Sequence, residues 1–379
     1  MFSKFNYLMN KIYLLTAAFA VMASLSGCSD TELASIDTVQ EKTPIGFHTV
    51  GSQMESRATI INSGDITKTD FKVYAFDGEG NAFMGNNDTE PGWHGVEINH
   101  KTGEWDYANS SDLRYWPDYS LDFYAVSPGT VPEENSQDHY FWQINNNSQT
   151  IIYNSFDEYG TSSTHQNLDV MYAVAKGQTK ANGKVNLTFK HILSQVLFKA
   201  KTNDDKLEVE INGINFHNAQ LAGSFTIPAG EPQRTDWTQF PTASTLTVGM
   251  DGQVTVKSTG TDVFTKPMLF VPQVLSPWVP SDKNIDAANN DKLTYLEISC
   301  RIKQNNTYLF GKNGFETLYV PFSATWEPGK RYVYTLIFGG GYDRDGKAIL
   351  QPINFKPSVE DWGNVDDNTS TDKDIPLYQ

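Results

Sequence analysis

This sequence predicts an all-β protein built from two β-sandwich domains in tandem. Short runs of alternating apolar and polar residues recur from Ile45 to the C-terminal region. Clusters of Gly, Pro, Asn and Asp separate these runs, and no amphipathic helix of three turns stands among them. Residues 28–379 exceed what most single sandwich cores enclose, which points to two domains.

Along the chain, residues 28–44 are polar without hydrophobic periodicity and read as a tether. Ile45, Phe47 and Thr49 alternate with Gly46, His48 and Val50 in a short strand. Phe71 to Phe76 is a clearer strand ended by the turn run Asp77-Gly78-Glu79-Gly80-Asn81. Gly95 to Tyr107 reads as a hairpin turning at Lys101-Thr102-Gly103, and Leu121 to Val126 and Asp169 to Ala175 as further strands. Residues 131–167 are crowded with Asn, Gln, Ser and Asp and read as a long irregular segment, the kind that tends to carry function. The second half continues in the same manner, with strands at Val185 to Phe189, Gln195 to Lys201, Leu207 to Phe216, Thr245 to Val256, Leu293 to Lys303 and Tyr332 to Phe338.

Val185, Leu187 and Phe189 share one parity, and Val196, Phe198 and Ala200 share the other. A slip of one residue turns a core face outward, so the chain must bulge or turn between Lys190 and Gln195. The expected domains are an N-terminal sandwich over residues 45–180 and a C-terminal sandwich over 181–379, with Asn203-Asp204-Asp205 as an alternative boundary.

The N-terminus carries its own signal. Lys4 and Lys11 precede an uncharged run from Ile12 to Leu25, the length of a signal-peptide core and too short to span a membrane. Leu25-Ser26-Gly27-Cys28 completes a lipobox, in which a peptidase removes residues 1–27 and lipid is attached to Cys28. The bland alternative is an ordinary signal peptide with an incidental cysteine. Ser29-Asp30-Thr31-Glu32 resembles the acidic tag that sends lipoproteins of some anaerobic Gram-negative bacteria to the outer face of the outer membrane, although an acidic linker reads the same way.

The formal charge of −16 argues against nucleic acid as a partner and against electrostatic docking to anionic lipid. With Cys28 committed to lipid, Cys300 has no disulfide partner and reads as a small core residue on a strand. Seven histidines show neither H-E-x-x-H nor close metal-ligand spacing, and the nucleophile elbow, Walker loop and dinucleotide fingerprint are all missing. His191 reads as a hydrogen-bonded structural residue. Asp343 and Asp345 supply only part of a calcium loop. The chain is therefore expected to be no enzyme and to hold neither cofactor nor metal. Trp93, Trp105, Trp116 and Trp142 either stack on sugar rings or fill a sandwich core, with core filling favoured. Of these, Trp93, Trp105 and Trp142 are the candidate glycan contacts. Arg57, in a polar loop behind the first strand, is a candidate for cleavage before Ala58.

Several stretches taken in order resemble the fimbrillin family, in its Mfa-like branch, of type V pili. They are Pro44-Ile45-Gly46-Phe47 followed by Ser56-Arg57-Ala58; Phe71 to Phe76; Arg114-Tyr115-Trp116-Pro117 with Leu121 to Ala125; Asp169 to Ala173; Phe189 to Ser194 leading to Val196-Leu197-Phe198-Lys199; Trp326-Glu327-Pro328-Gly329-Lys330 with Tyr332 and Tyr334; and Val359 to Trp362. The resemblance implies two transthyretin-like, Greek-key sandwiches. It also implies a precursor delivered to the outer-membrane surface through lipid on Cys28 and cut at Arg57-Ala58 by an arginine-specific protease. The cut would displace the first strand, with Ile45 and Phe47, and a donor strand from another pilin subunit would replace it in a fimbrium with a role in adhesion. The tail after Trp362 is short and holds Pro376, so shaft, tip and anchor roles all stay open. The runner-up reading is a surface-anchored glycan-binding lipoprotein that uses exposed aromatics and does not polymerise; a host or bacterial surface glycan or protein is the further partner expected.

Overall fold

The computed structural model describes residues 42–49, 69–85, 95–129, 140–145, 148–154, 168–240, 243–247, 250, 252–264, 267–350 and 354–361. These form four sheets. Strands β1 (Phe47–Thr49), β2 (Phe71–Asp77), β3 (Ala82–Met84), β4 (Val96–Lys101), β5 (Glu104–Tyr107) and β6 (Leu121–Ser127) belong to the first. A hairpin of β7 (Tyr140–Ile144) and β8 (Gln149–Asn154) leaves it for the second sheet. The chain then returns through β9 (Met171–Gln178), β10 (Val185–Leu187) and β11 (Lys190–His191). β12 (Ser194–Thr202) opens the third sheet and β13 (Leu207–Gln220) the fourth, after which β14 (Ala222–Thr226) and β15 (Trp237–Gln239) join the second. β16 (Ala243–Thr247) and β17 (Val254–Val256) add to the fourth sheet, and β18 (Thr261–Asp262) and β19 (Met268–Phe270) to the third. Past the short helix α1 (Ile285–Asn290), β20 (Tyr295–Gln304), β21 (Thr307–Phe310) and β22 (Glu316–Pro321) lie in the fourth sheet. β23 (Lys330–Phe338) lies in the third, the hairpin β24 (Gly340–Tyr342) and β25 (Ala348–Leu350) in the fourth, and β26 (Asn354–Asp361) in the third.

The first sheet runs β10-β1-β5-β4-β2-β6-β9-β11, with β3 beside β2, and it curls until β10 lies against β9. Phe71, Val73, Ile98, Leu121, Phe123, Ala173, Val185 and Leu187 fill its inside. The outer face of β2, β6 and β9 is also covered. Tyr74, Phe76, Tyr124, Val126 and Tyr172 pack there against Ile151, Tyr153, Phe225 and Trp237 of the second sheet. Two covered faces explain why Val73-Tyr74-Ala75-Phe76 is buried at every position, where a strand with one solvated face would alternate.

The third and fourth sheets form a second sandwich. Val196, Phe198, Ala200, Tyr332, Tyr334 and Leu336 face Val209, Ile211, Ile214, Phe216, Leu296, Ile298 and Cys300 across its core. The inward parity of β13 changes between Ile211 and Ile214, where the register with β20 shifts through a bulge. Cys300 is fully buried on β20, and burial pushes its thiol up to about 12, which makes it inert.

The all-β sandwich architecture follows the sequence, but its partition does not. A boundary at 180/181 would cut the first sheet, because β10 and β11 still pair within it. A boundary at 203–205 would detach β12, which belongs to the third sheet. The expected phase change between Lys190 and Gln195 is a change of sheet: His191 ends β11, and Ser194 begins β12. Ile192 and Leu193 between them are buried. The first sandwich also borrows β14 and β15 from the second half of the chain, and β14 pairs with β8 from Ala222↔Asn154 to Thr226↔Thr150. The stretch 131–167, expected to be irregular, holds the hairpin β7–β8. Its apolar positions Ile144, Ile151 and Tyr153 are inward and buried, but polar neighbours hide the alternation.

The seam between the sandwiches gathers the sequence motifs of both halves. Gly329 N–H donates to the Leu193 carbonyl at 2.9 Å, and the Ser194 hydroxyl donates to the Glu327 carbonyl at 2.9 Å. Trp237 Nε1 donates to the Ile192 carbonyl at 3.0 Å, tying the second sheet to the crossing segment. Removing that donor leaves a buried carbonyl unpaired. Trp237→Phe is accordingly expected to lower stability by about 1–3 kcal/mol with the fold retained, read as a lower denaturant midpoint at unchanged slope.

Candidate functional site

The first strand is short, yet its surroundings hold it from every side. In the sheet order β1 lies between β10 and β5, so neither of its edges is free. With β10 it pairs in parallel, Phe47↔Val185, His48↔Asn186 and Thr49↔Leu187; with β5 it pairs antiparallel at Phe47↔Trp105. Val185 N–H donates to the Gly46 carbonyl at 2.8 Å. Upstream, the loop between β5 and β6 adds one more rung. Ile45 N–H donates to the Arg114 carbonyl at 2.9 Å, Trp116 N–H donates to the Thr43 carbonyl at 3.0 Å, and Pro44 bridges Tyr115 between them. Thr43 and Pro44, expected to belong to a tether over 28–44, are fixed to the sheet, and residues 28–41 lie outside the described residues.

Two side chains place β1 in the core. Ile45 and Phe47 are each 1% exposed. The Phe47 ring meets Phe71, Tyr107 and Phe123 edge to face at 6.2, 5.9 and 6.1 Å, the arrangement aromatic quadrupoles favour. Side-chain hydrogen bonds close the frame. The Tyr107 hydroxyl donates to the Ile45 carbonyl at 3.0 Å, and Trp105 Nε1 donates to the Thr49 hydroxyl at 2.9 Å. Burial pushes the Tyr107 phenol up to about 12, so it remains a donor at neutral pH. On the outward side, the carbon stem of Lys184 lies over Gly46, where an added Cβ would stand 3.2 Å from the Lys184 Cγ. The Lys184 ammonium reaches across to Glu104, whose carboxyl is held below its usual range chiefly by that hydrogen bond.

Other sequence candidates fall elsewhere. Cys28, Arg57, Ala58 and Trp93 lie outside the described residues, and of Trp142 only the strand backbone in β7 is described. Trp105 is no glycan platform: it is 8% exposed, its ring centroid lies 4.6 Å from that of Phe71 in a tilted contact, and its indole N–H is committed to Thr49. Trp116 packs edge to face on Phe123 at 5.8 Å. His191 is buried with its Nδ1 2.9 Å from the equally buried Asp169 carboxylate, a structural pair where the chain leaves the first sheet. The Asp343 carboxylate accepts from the N–H groups of Asp345 and Lys347, so it is engaged in closing its own turn. Among the described residues no group of three or more His, Cys, Asp or Glu side chains is placed to hold a metal ion. The sequence reading missed β10, Trp105 and Tyr107 as the frame of the first strand. The alternation Val185, Leu187 and Trp105, Tyr107 was visible, but its pairing with β1 is long-range.

Phe47→Ala is expected to destabilise the protein by about 3–5 kcal/mol, the range for truncating a buried phenylalanine. His48→Ala, at the exposed neighbouring position, is expected to stay within about 0.5 kcal/mol of wild type. Denaturant titration of both variants measures the contrast.

The sequence model of the fimbrillin-like family matches residues 56–362. No curated protein matches the sequence. Among solved structures, the chain is similar to a candidate cell adhesion protein from Bacteroides uniformis at 14% identity and a TM-score of 0.45, covering 84% of this chain and 99% of that one. It is similar to the tip fimbrial protein Mfa3 from Porphyromonas gingivalis, in a C-terminally truncated form, at 13% identity and a TM-score of 0.37, covering 78% and 94%. It is also similar to the fimbrial anchor protein Mfa2 from the same organism at 10% identity and a TM-score of 0.35, covering 84% and 99%. With most of its length, from Ser56 to Trp362, matched by the family model, the chain belongs to the fimbrillin-like family.

Proposed function

We propose that this protein is a fimbrial subunit with a role in cell adhesion, assembled by exchange of its first strand and not by any enzymatic activity of its own. In this reading the precursor is exported as a lipoprotein, and lipid on Cys28 holds it at the outer-membrane surface. An arginine-specific protease hydrolyses the Arg57–Ala58 bond. Residues 28–57 then give up the β1 position to a strand of another subunit, and head-to-tail repetition without closure makes a filament.

The observation that carries this reading is the placement of β1. A segment upstream of Arg57 occupies an interior position of the sheet, with Ile45 and Phe47 in the core. Its removal leaves two strand edges and an apolar slot, and such a surface recruits another strand. The family match supports the same division, since it begins at Ser56, next to the proposed cut and beyond β1. The sequence supplies a matching strand. Pro44-Ile45-Gly46-Phe47 recurs in pattern as Pro352-Ile353-Asn354-Phe355, and Phe355 lies on β26, an edge strand of the third sheet. An edge strand can leave its sheet by breaking one ladder.

Arg57→Ala is expected to leave folding and surface delivery intact and to abolish filaments, with the mature N-terminus no longer found at Ala58 by mass spectrometry of the surface protein. Normal filaments from that variant would contradict the cleavage step.

A further inference from the structure

Cutting a chain behind a strand does not by itself empty the strand's place. We propose that β1, once severed, stays in its slot as a non-covalent plug strapped by Lys184 and Glu104, and that the incoming strand expels it. The proposal rests on the cut-and-exchange reading above and concerns the step between cutting and exchange.

Three features of the slot lead to it. First, β1 has partners on both sides, so it cannot peel away as an edge strand does; the pairings with β10 and β5 must open together. Second, the ties that hold it among the described residues come from positions upstream of residue 50 and survive a cut at 57. They are the Ile45–Arg114, Thr43–Trp116 and Gly46–Val185 main-chain bonds, the Tyr107 and Trp105 side-chain bonds, and the ring cage around Phe47. An empty slot would expose the apolar floor and leave buried donors such as Val185 N–H without acceptors, so vacancy is an unfavourable resting state. Third, Lys184 comes from the residue before β10 and Glu104 from the start of β5, the two strands that flank β1. Their ion pair therefore spans β1, with the lysine stem lying on Gly46. As an exposed pair it adds little to equilibrium stability. Its effect is on the order of events: the stem must swing off Gly46 before β1 can lift out. Glycine at 46 leaves the room for the stem to cross.

The test supplies its own cut. A site-specific protease sequence is substituted into residues 51–57 of the full chain, and the cut product is run on native size exclusion. The N-terminal fragment is expected to co-elute with the body and to separate only in denaturant or when excess peptide Thr43–Val50 competes for the slot. In that competition Lys184→Ala is expected to release the fragment roughly two- to fivefold faster, the span an exposed ion pair supports. Lys184→Met, which keeps the stem without the charge, should fall between the two. High salt, which screens the pair, should speed wild type and leave Lys184→Met unchanged. A fragment found free immediately after cutting would overturn the plug, and Lys184 variants releasing at the wild-type rate would overturn the strap. Arg57→Ala assays read the natural cut instead, so the two proposals fail separately.

Discussion

The first sandwich depends on Phe47 sitting among Phe71, Tyr107 and Phe123. Those three rings come from β2, β5 and β6, and Phe47 brings β1 to all of them at once. With β1 in place, β5 and β10 have a common neighbour, and the curled sheet comes round to set β10 against β9. Without it, β5 and β10 each show an unpaired edge and the core of the sheet opens between them. A three-residue strand thus completes a nine-stranded sheet. Such an element suits a switch, because few residues must move to change the state of many.

The second organising feature is the crossing at Ile192 and Leu193. A strand that changes sheet must also change which side chains face a core, and two buried apolar residues between β11 and β12 accomplish this. The crossing is fixed by the turn at Glu327 to Gly329 from one side and by Trp237 from the other. Trp326 and Tyr332 brace that turn: the Trp326 indole donates to the Tyr334 hydroxyl, and Glu327 N–H donates to the Tyr332 hydroxyl. With β14 and β15 reaching back to β8, the two sandwiches are interlocked by chain exchange and not only placed side by side. A load applied at one sandwich passes to the other through hydrogen-bonded strands and a packed seam, which suits a filament subunit.

Local signals in the sequence were readable where a single segment decides the outcome. The hairpin at Lys101-Thr102-Gly103 is one example: Thr102 and Gly103 both take positive φ, 49° and 89°, as a tight two-residue hairpin turn requires. The core placement of Cys300 and the change of phase after Lys190 are others. The strand positions of Ile45 and Phe47 could be read from alternation, but their neighbours could not. β10 lies far along the chain from β1, and no local pattern encodes a parallel pairing across that distance. The hairpin β7–β8 was hidden because Asn, Gln and Ser dominate its flanks, and burial there comes from packing on the outer face of the first sheet, a long-range contact that the sequence does not display. Trp105 follows the favoured core-filling alternative, but the strand that covers it could not be named, because β1 lies far from it along the chain.

The central claim is that β1 is an integral interior strand and not a loosely attached leader. Native-state hydrogen exchange on the uncut protein tests it most directly. The amides of Ile45 and the β1 strand, together with Val185, are expected to exchange as slowly as those of β2 and β6, because they open only when the sheet does. Exchange at the rate of a free peptide in residues 45–49, with β2 and β6 still protected, would contradict the account.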